Sequence, residues 1–206
     1  LGQGARIKLS IAEIDTIKRH DLKAYDVVVL ANPPSLDSRD ARSLEAFVRR
    51  GGGLLVTVGE QVQPTRINHV IGGLLPRTLR SSRLAGDAAA STEGRDRRVA
   101  YLAASADEHP ILNGFSHEDL AALKQVRVNT YMLVDPAPTS GGKTALSLDN
   151  GAPILLTKSI DKGRVGLLTT SIDRDWTDLP IRVHFLPMLV QTIRYLARTQ
   201  TMNSSV

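Results

Sequence analysis

The chain has 206 residues, of which 42% are hydrophobic and 23% are charged, which is enough for one sizeable domain with an ordinary apolar core. It contains no cysteine, and this excludes disulfide bonds, thiolate metal sites and a cysteine nucleophile. The formal net charge of +5 permits contact with nucleic acid or anionic lipid but does not require it.

The first part of the chain predicts a β-α-β unit. Residues 6–11 alternate charged and apolar side chains, which favours a short, partly exposed strand. Residues 25–31 are almost continuously apolar, as in a strand that is buried on both faces of a parallel sheet. Apolar residues recur at helical spacing within 41–48, and the glycine triplet at 51–53 ends that helix. A second buried strand at 54–58 completes the unit, whose crossover should be right-handed.

Residues 72–98 break this periodicity with glycine, proline and serine, and we interpret them as a basic loop or insertion. The segment is the most basic part of the chain, so binding of an anionic polymer or lipid is an alternative function for it. It lacks aromatic residues on which bases could stack, which argues against nucleic acid as a partner. The arginines of this predicted basic patch are Arg77, Arg80, Arg83, Arg95, Arg97 and Arg98.

Antiparallel strands are predicted after this segment. Residues 125–133 alternate apolar and polar side chains, which indicates a strand with one exposed face. Residues 152–160 and 164–170 flank a turn at 161–163 and predict an antiparallel hairpin.

A closing helix is predicted from residue 179 or 180 to residue 198, because its apolar positions have helical spacing. The polar residues 199–206 should form a frayed tail. We therefore predict a single α/β domain at 1–198 with three layers and a mostly parallel sheet, to which the hairpin adds an antiparallel part.

Polar residues follow the predicted strands at their carboxyl ends, which is the edge where open α/β sheets bind ligands. An open alternative is that Asp173 only caps a turn. The acidic segment that contains Asp175 lacks the glycine and the terminal glutamate of a calcium loop, so we predict no metal ion and no other cofactor. The candidate ligand-binding residues are Asn32, Glu60, Gln61, His109, Asp173, Asp175 and Trp176.

No nucleophile motif is recognisable. A nucleophile elbow would place serine or cysteine in the turn after residues 54–58, where this chain has Glu60 and Gln61. The simpler interpretation of His109 is a loop histidine bonded to the backbone. Glu60, His109 and Asp173 could still meet at the carboxyl edge of the sheet, which leaves a hydrolase with acid–base chemistry as a further alternative.

Four segments of the chain together resemble the class I glutamine-amidotransferase-like fold, which has a flavodoxin-like sheet. They are YDVVVL at 25–30, LEAFVRRGGGLLV at 44–56, HPI at 109–111 and GRVGLLTT at 163–170. The resemblance extends to trehalose-utilisation-type domains, and more closely to amidotransferase-like domains of bacterial aerotolerance (Bat) proteins.

The Bat resemblance is strongest in the segment 173–180 and the Phe-Leu-Pro sequence at 185–187. It covers nearly the whole chain except residues 72–98. Proteins of that group often carry a von Willebrand factor A domain and transmembrane helices in other regions. The resemblance therefore implies a membrane-anchored bacterial parent protein, with this domain on the extracytoplasmic side. No run of about 18 apolar residues occurs, so we expect any membrane segment to lie outside this chain. The resemblance further implies that the family's first strand and helix are missing or lie before Leu1.

The chain departs from active members of that fold at both catalytic positions. Their cysteine stands in the turn that Glu60 and Gln61 occupy here, and their histidine follows the strand that is followed here by Ser171. Nucleophilic catalysis needs both groups. We therefore expect no enzymatic activity and predict a ligand- or protein-binding or scaffolding domain, whose partner is another domain of the same protein or a separate protein.

Overall fold

The structure is a computed structural model that describes residues 7–85, 99–104, 109–136 and 142–198. In chain order its strands and α-helices are β1 Val27–Ala31, α1 Ser38–Arg49, β2 Gly53–Thr57, α2 Pro64–Ile71, β3 Leu79–Leu84, β4 Ala100–Ala104, α3 His117–Leu123, β5 Arg127–Val128, β6 Thr130–Val134, β7 Lys143–Leu148, β8 Pro153–Ile160, β9 Gly163–Leu168 and α4 Phe185–Leu196. Short 3-10 helices lie at Ile14–Arg19, Leu22–Ala24, Pro110–Leu112 and Leu179–Ile181.

Seven strands form one mixed sheet in the order β1-β2-β9-β8-β7-β4-β5. Strands β1, β2 and β9 run parallel, whereas each remaining neighbour in that order pairs antiparallel. Strands β3 and β6 form a separate two-stranded antiparallel sheet, called the ribbon below. The predicted α/β class, the β-α-β unit and the β8–β9 hairpin are confirmed, and antiparallel pairing extends from that hairpin across β7, β4 and β5.

Helix α1 begins where the sequence provides a capping side chain and ends at a glycine. The Asp37 carboxylate accepts hydrogen bonds from the backbone N–H groups of Arg39 and Asp40 at 2.7 and 2.8 Å, which satisfies two donors of the first turn. Gly51 has a φ of 121°, a left-handed value that favours glycine directly after the helix. The apolar stripe between these ends is fully buried, as the value of 0% exposure for Leu44 shows.

Helices cover both faces of the sheet at β2. At the edge strand β1 only one face is covered, and Val29 is 40% exposed, so the prediction that residues 25–31 are buried on both faces is wrong. Leu54 and Val56 of β2 belong to one buried cluster with Leu44 of α1. The neighbouring residue Leu55 points to the other face, where it meets Gly166 and Leu196 at the end of α4. This alternation is the three-layer arrangement that the continuous apolar strands predicted.

The strand predicted at residues 6–11 is wrong. From residue 7 to residue 13 the chain has no regular secondary structure, and Ile7, Leu9 and Ile11 are 52%, 77% and 88% exposed. An alternating pattern becomes a strand only when a neighbouring strand accepts its backbone hydrogen bonds. Strand β1 lies at the end of the sheet order and does not pair with this segment.

The basic loop or insertion predicted at 72–98 needs a partial correction. Residues Leu79–Leu84 form β3, which pairs with β6. A register shift between Leu79 and Ser82 disturbs the alternation of side chains, which explains why the sequence pattern did not indicate a strand. Residues 86–98, with Arg95, Arg97 and Arg98, lie outside the described residues, as does the predicted tail at 199–206.

Candidate functional site

A cleft of about 540 Å³ lies at the carboxyl ends of the parallel strands β2 and β9. This is the edge at which an open α/β sheet is expected to bind a ligand. The turn after β2, the ribbon and the loop after β9 all contribute to it. Its lining residues are Gly59, Glu60, Val62, Pro64, Ser81, Ser82, Thr130, Met132 and Trp176.

The turn after β2 is held by Asn32, which follows β1. The Asn32 side-chain oxygen accepts a hydrogen bond from the backbone N–H of Gln61 at 3.1 Å. Asn32 has a φ of 48°, and a Cβ at Gly59 would lie only 2.5 Å from the Asn32 Cγ atom. Asn32 therefore positions this turn, while the exposed Glu60 reaches the cleft.

The loop after β9 is closed by its own hydrogen bonds. The Ser171 hydroxyl donates to the carbonyl oxygen of Asp173 at 3.3 Å and accepts from the backbone N–H of Trp176 at 3.4 Å. The Asp173 carboxylate accepts from the backbone N–H of Asp175 at 3.0 Å. Asp173 and Asp175 are exposed and do not line the cleft, whereas Trp176 is 6% exposed and does.

The ribbon is attached to the same loop through β6. The carbonyl oxygen of Trp176 accepts hydrogen bonds from the backbone N–H groups of Asn129 and Thr130 at 2.7 and 3.2 Å. The backbone N–H of Met132 donates to the carbonyl oxygen of Thr169 at 2.7 Å. These bonds fix the ribbon over the end of β9 and place Thr130 and Met132 in the lining of the cleft.

His109 lies away from the cleft, packed against β8 and α4. It is 3% exposed, and its Nδ1 accepts a hydrogen bond from the backbone N–H of Ile111 at 3.2 Å. Its Nε2 lies 2.9 Å from the Thr157 hydroxyl, and its ring centroid is 5.0 Å from that of Tyr195. Burial, with a smaller effect of nearby positive charges, lowers the pKa of His109 to about 4. A neutral, backbone-bonded histidine results, which matches the simpler of the two sequence interpretations.

The candidate residues thus separate into three groups. Glu60 and Trp176 line the cleft, and Asn32 and Gln61 shape the turn next to it. Asp173 and Asp175 are exposed in the loop after β9, where the Asp173 carboxylate accepts from the Asp175 N–H, and His109 contacts the Thr157 hydroxyl. The trio of Glu60, His109 and Asp173 is not assembled in one cleft, so the geometry does not favour the acid–base alternative.

The sequence did not indicate four of the lining residues as part of a site, although Thr130 and Met132 lie in the strand predicted at 125–133. Ser81, Ser82, Thr130 and Met132 come from the ribbon, whose pairing joins segments about fifty residues apart in the chain. Short hydroxyl side chains are common on any surface, and only the long-range pairing brings them beside Glu60. Only the prediction of a strand around Ser82 would have indicated that this part of the basic segment lines the cleft.

Two arginines in the described part of the basic patch contact Asp135. Arg80 lies 3.9 Å from the Asp135 carboxylate, and the Arg77 guanidinium donates to the carbonyl oxygen of Asp135 at 3.5 Å. Within the residues that the structure describes, no group of three His, Asp or Glu side chains is placed to hold a metal ion.

Comparison with known proteins identifies relatives of the fold only. No protein family matches the chain, and no curated protein matches its sequence. A cytoplasmic protein of Salmonella typhimurium LT2 has 15% identity and a TM-score of 0.69, over 93% of this chain and 82% of that chain. A second cytoplasmic protein of Salmonella typhimurium has 17% identity and a TM-score of 0.65, over 90% and 76%.

A ThuA-like protein of Parabacteroides merdae has 14% identity and a TM-score of 0.54, over 90% of this chain and 75% of that chain. At such low identity the likeness shows a shared fold and nothing about activity. It supports the resemblance to trehalose-utilisation-type domains at the level of the α/β fold.

The expected location on the extracytoplasmic side of a membrane-anchored protein is corrected by these comparisons. Two of the structures with the same fold bear the name cytoplasmic protein. In the described ranges, no helix is both long enough and apolar enough to span a membrane. The expectation had depended on the Bat resemblance alone, and we withdraw it.

Proposed function

We propose that this chain is a non-catalytic binding domain that takes a ligand or a protein segment in the cleft between the turn after β2 and the ribbon. The observation that carries the proposal is the cleft itself, which lies at the ligand-binding edge of the sheet and is lined by Glu60, Trp176 and three hydroxyl side chains. The lining mixes apolar and hydrogen-bonding groups, as binding sites do.

The two turns that border the cleft also support a binding role. The turn after β2 offers Glu60 and Gln61 in place of a nucleophile, and the whole chain lacks cysteine. The loop after β9 places Ser171 and Asp173 where a histidine base would be needed, and their polar atoms are engaged within the loop. Covalent catalysis needs a nucleophile and a base within hydrogen-bond reach.

Two measurements on the purified chain test this proposal. Trp176 is the only tryptophan, so its fluorescence should change when a compound or peptide enters the cleft. Glutamine and simple esters should not be hydrolysed. Robust turnover that the substitution Glu60→Ala abolishes would refute the proposal, and so would binding that leaves the fluorescence of Trp176 unchanged.

We also propose a specific kinship with the amidotransferase-like domains of Bat-type proteins. The support is the segment 173–180 together with the Phe-Leu-Pro sequence at 185–187, and the former is the loop that closes the cleft. The test is the sequence of the full gene. A von Willebrand factor A domain in the same polypeptide would support the kinship, and a different domain composition would contradict it.

A further inference from the structure

We infer that the partner taken up by the cleft is an extended polypeptide segment, which pairs as an added strand with the open edge of β3. The inference rests on the proposed binding function and names the class of its partner. Its basis is the direction of the backbone groups in β3, the side-chain amide that already occupies part of this edge, and the charge of the lining.

The register of the ribbon decides which backbone groups of β3 point outward. The N–H of Ala85 donates to the carbonyl oxygen of Asn129 at 2.8 Å, so the backbone of Ala85 faces β6. Backbone groups of successive strand residues point to opposite sides. Leu84 therefore faces away from β6, Arg83 faces towards it, and Ser82 faces away again.

The partners of Ser82 and Leu84 on β6 confirm this direction. Ser82 is opposite Met132 and Leu84 is opposite Thr130. The backbone N–H groups of Met132 and Thr130 donate away from β3, to the carbonyl oxygens of Thr169 and Trp176. Both pairs are thus of the kind that exchanges no hydrogen bonds across the ribbon. In the part of the chain that the structure describes, the backbone N–H and C=O of Ser82 and Leu84 have no partner.

At Leu79, at the start of β3, a side chain already makes the hydrogen bonds that a neighbouring strand would make on this edge. The Asn68 amide of α2 donates to the carbonyl oxygen of Leu79 at 2.7 Å, and its oxygen accepts from the Leu79 N–H at 3.0 Å. An added strand would make the same pair of bonds at Ser82 and Leu84. The edge can therefore accept main-chain groups. Because α2 covers its start, only the last few residues of β3 are open.

Because the open stretch of β3 is short, it does not favour non-specific pairing with other polypeptide chains. Long, flat, exposed edges cause aggregation, and proteins shorten them with bulges and charges. Here a register shift precedes Ser82, and Arg80 flanks it. Main-chain bonds at two residues give little affinity alone, so the side chains of the added segment must find contacts in the cleft.

The lining of the cleft predicts what those side chains are. Glu60 is the one charged residue among the lining residues, and Ser81 and Ser82 stand on the β3 side. Leu84 is 60% exposed beside them. A basic side chain opposite Glu60 and an apolar side chain next to Leu84 would complement these groups.

The test starts from a displayed library of random linear peptides, and recovered sequences are synthesised as free peptides. Recovered peptides should quench or shift the fluorescence of Trp176 and should contain a basic residue whose contribution Glu60→Gln removes. Hydrogen exchange of the Ser82 and Leu84 amides, followed by NMR in the unmodified protein, should slow at least about tenfold on binding. Failure of these two amides to gain protection would overturn the inference.

A pair of variants at one position separates main-chain pairing from side-chain contact. Ser82→Pro removes only an N–H that points away from β6, and proline is tolerated on an edge strand with that direction. It should weaken peptide binding about tenfold, as expected for one lost hydrogen bond. Ser82→Ala keeps the N–H and removes only the hydroxyl that lines the cleft, so its affinity measures the side-chain contribution alone, and Ser82→Pro should bind about tenfold more weakly than Ser82→Ala. Equal affinities of the two variants, once both are shown to unfold cooperatively in urea, would overturn the inference.

Failure of the inference can be distinguished from failure of the proposed function. If no peptide is recovered but small molecules change the fluorescence of Trp176, the strand-pairing inference is wrong and the binding function stands. If Glu60-dependent hydrolysis is found, the binding function itself is wrong.

Discussion

The stability of this protein should fall on mild acidification because of one buried histidine. The N–H of Ile111 donates to Nδ1 of His109, so the ring proton lies on Nε2 and donates to the Thr157 hydroxyl. Protonation of Nδ1 would set two donors against each other in a buried site. Burial first, and then the charges of Lys143 and Arg164, lowers the pKa of His109 from 6.5 to about 4.

The magnitude follows from the difference between the folded and unfolded pKa. At pH values above the unfolded pKa, His109 is neutral in both the folded and the unfolded state. Its lowered folded pKa then has no effect on the free energy of unfolding. Below it the unfolded chain binds a proton that the folded chain does not, and the free energy of unfolding falls until the folded pKa is reached. Between about pH 7.5 and about pH 4.5 His109 should therefore remove about 2.5 kcal/mol of stability.

Urea unfolding at several pH values, followed by the fluorescence of Trp176, measures this loss. The variant His109→Asn keeps an oxygen that can accept from the Ile111 N–H but cannot titrate. It should be less stable than the unmodified protein near neutral pH, and this deficit should shrink by about 2.5 kcal/mol at about pH 4.5. The matched control is His117→Asn, which makes the same replacement at an exposed histidine.

A parallel pH profile for the unmodified protein and His109→Asn would refute the reasoning. That result would mean that the buried ring accepts a proton without cost. Carboxyl groups also titrate in this pH range, and their effect on the free energy of unfolding is common to both proteins. The difference between the two profiles therefore isolates the contribution of His109.

Three further changes test the fold around the site, each by urea unfolding. Gly163→Ala should cost more than about 2 kcal/mol, because its Cβ would lie 2.0 Å from the backbone oxygen of Val48, whereas Gly73→Ala, with nothing within 4 Å, should be nearly neutral. Asn32→Ala should cost about 2 kcal/mol through a lost hydrogen bond and a φ of 48°, and Asn32→Gly should cost about half as much. Ser116→Ala should cost about 1 kcal/mol, because it removes the capping box of α3. These expectations would be contradicted if Gly163→Ala and Gly73→Ala lowered the free energy of unfolding equally, or if Asn32→Gly lowered it more than Asn32→Ala. No loss of stability in Ser116→Ala would also contradict them.

The parts of the fold that were predictable from the sequence are those in which one segment alone carries the signal. Strand β2 is a continuous apolar run because both of its faces meet helices. Strand β1 has the same apolar pattern but lies at the edge of the sheet, where Val29 is 40% exposed. The β8–β9 hairpin was predictable because only Asp161 and Lys162 separate its two apolar strands, and Asp161 adopts a φ of 49° there. Strand β3 was missed because its register shift removes the alternation on which a strand prediction depends.

The candidate site was predictable to the same extent. Glu60 and Trp176 could be placed because they lie in the turn after β2 and in the loop after β9, and the carboxyl ends of parallel neighbours meet at one edge. Asp173 follows the same strand, but its carboxylate accepts a bond within its own loop, a local competition that spacing does not reveal. The wall formed by Ser81 and Ser82 depends on a pairing between distant segments, which a single sequence does not encode in any short pattern.

The arrangement of the two turns gives the strongest argument for binding by hydrogen bonds and shape. The turn after β2 is fixed by Asn32, so the backbone next to Glu60 is preorganised. In the loop after β9, the Ser171 hydroxyl bonds within the loop, and Trp176 lines the cleft. Among the main-chain groups beside the cleft in the described residues, those of Ser82 and Leu84 on the ribbon edge remain uncommitted, and they lie in an extended conformation. Groups of that kind are matched best by another extended main chain, which is why the ribbon, rather than either turn, should determine what this domain binds.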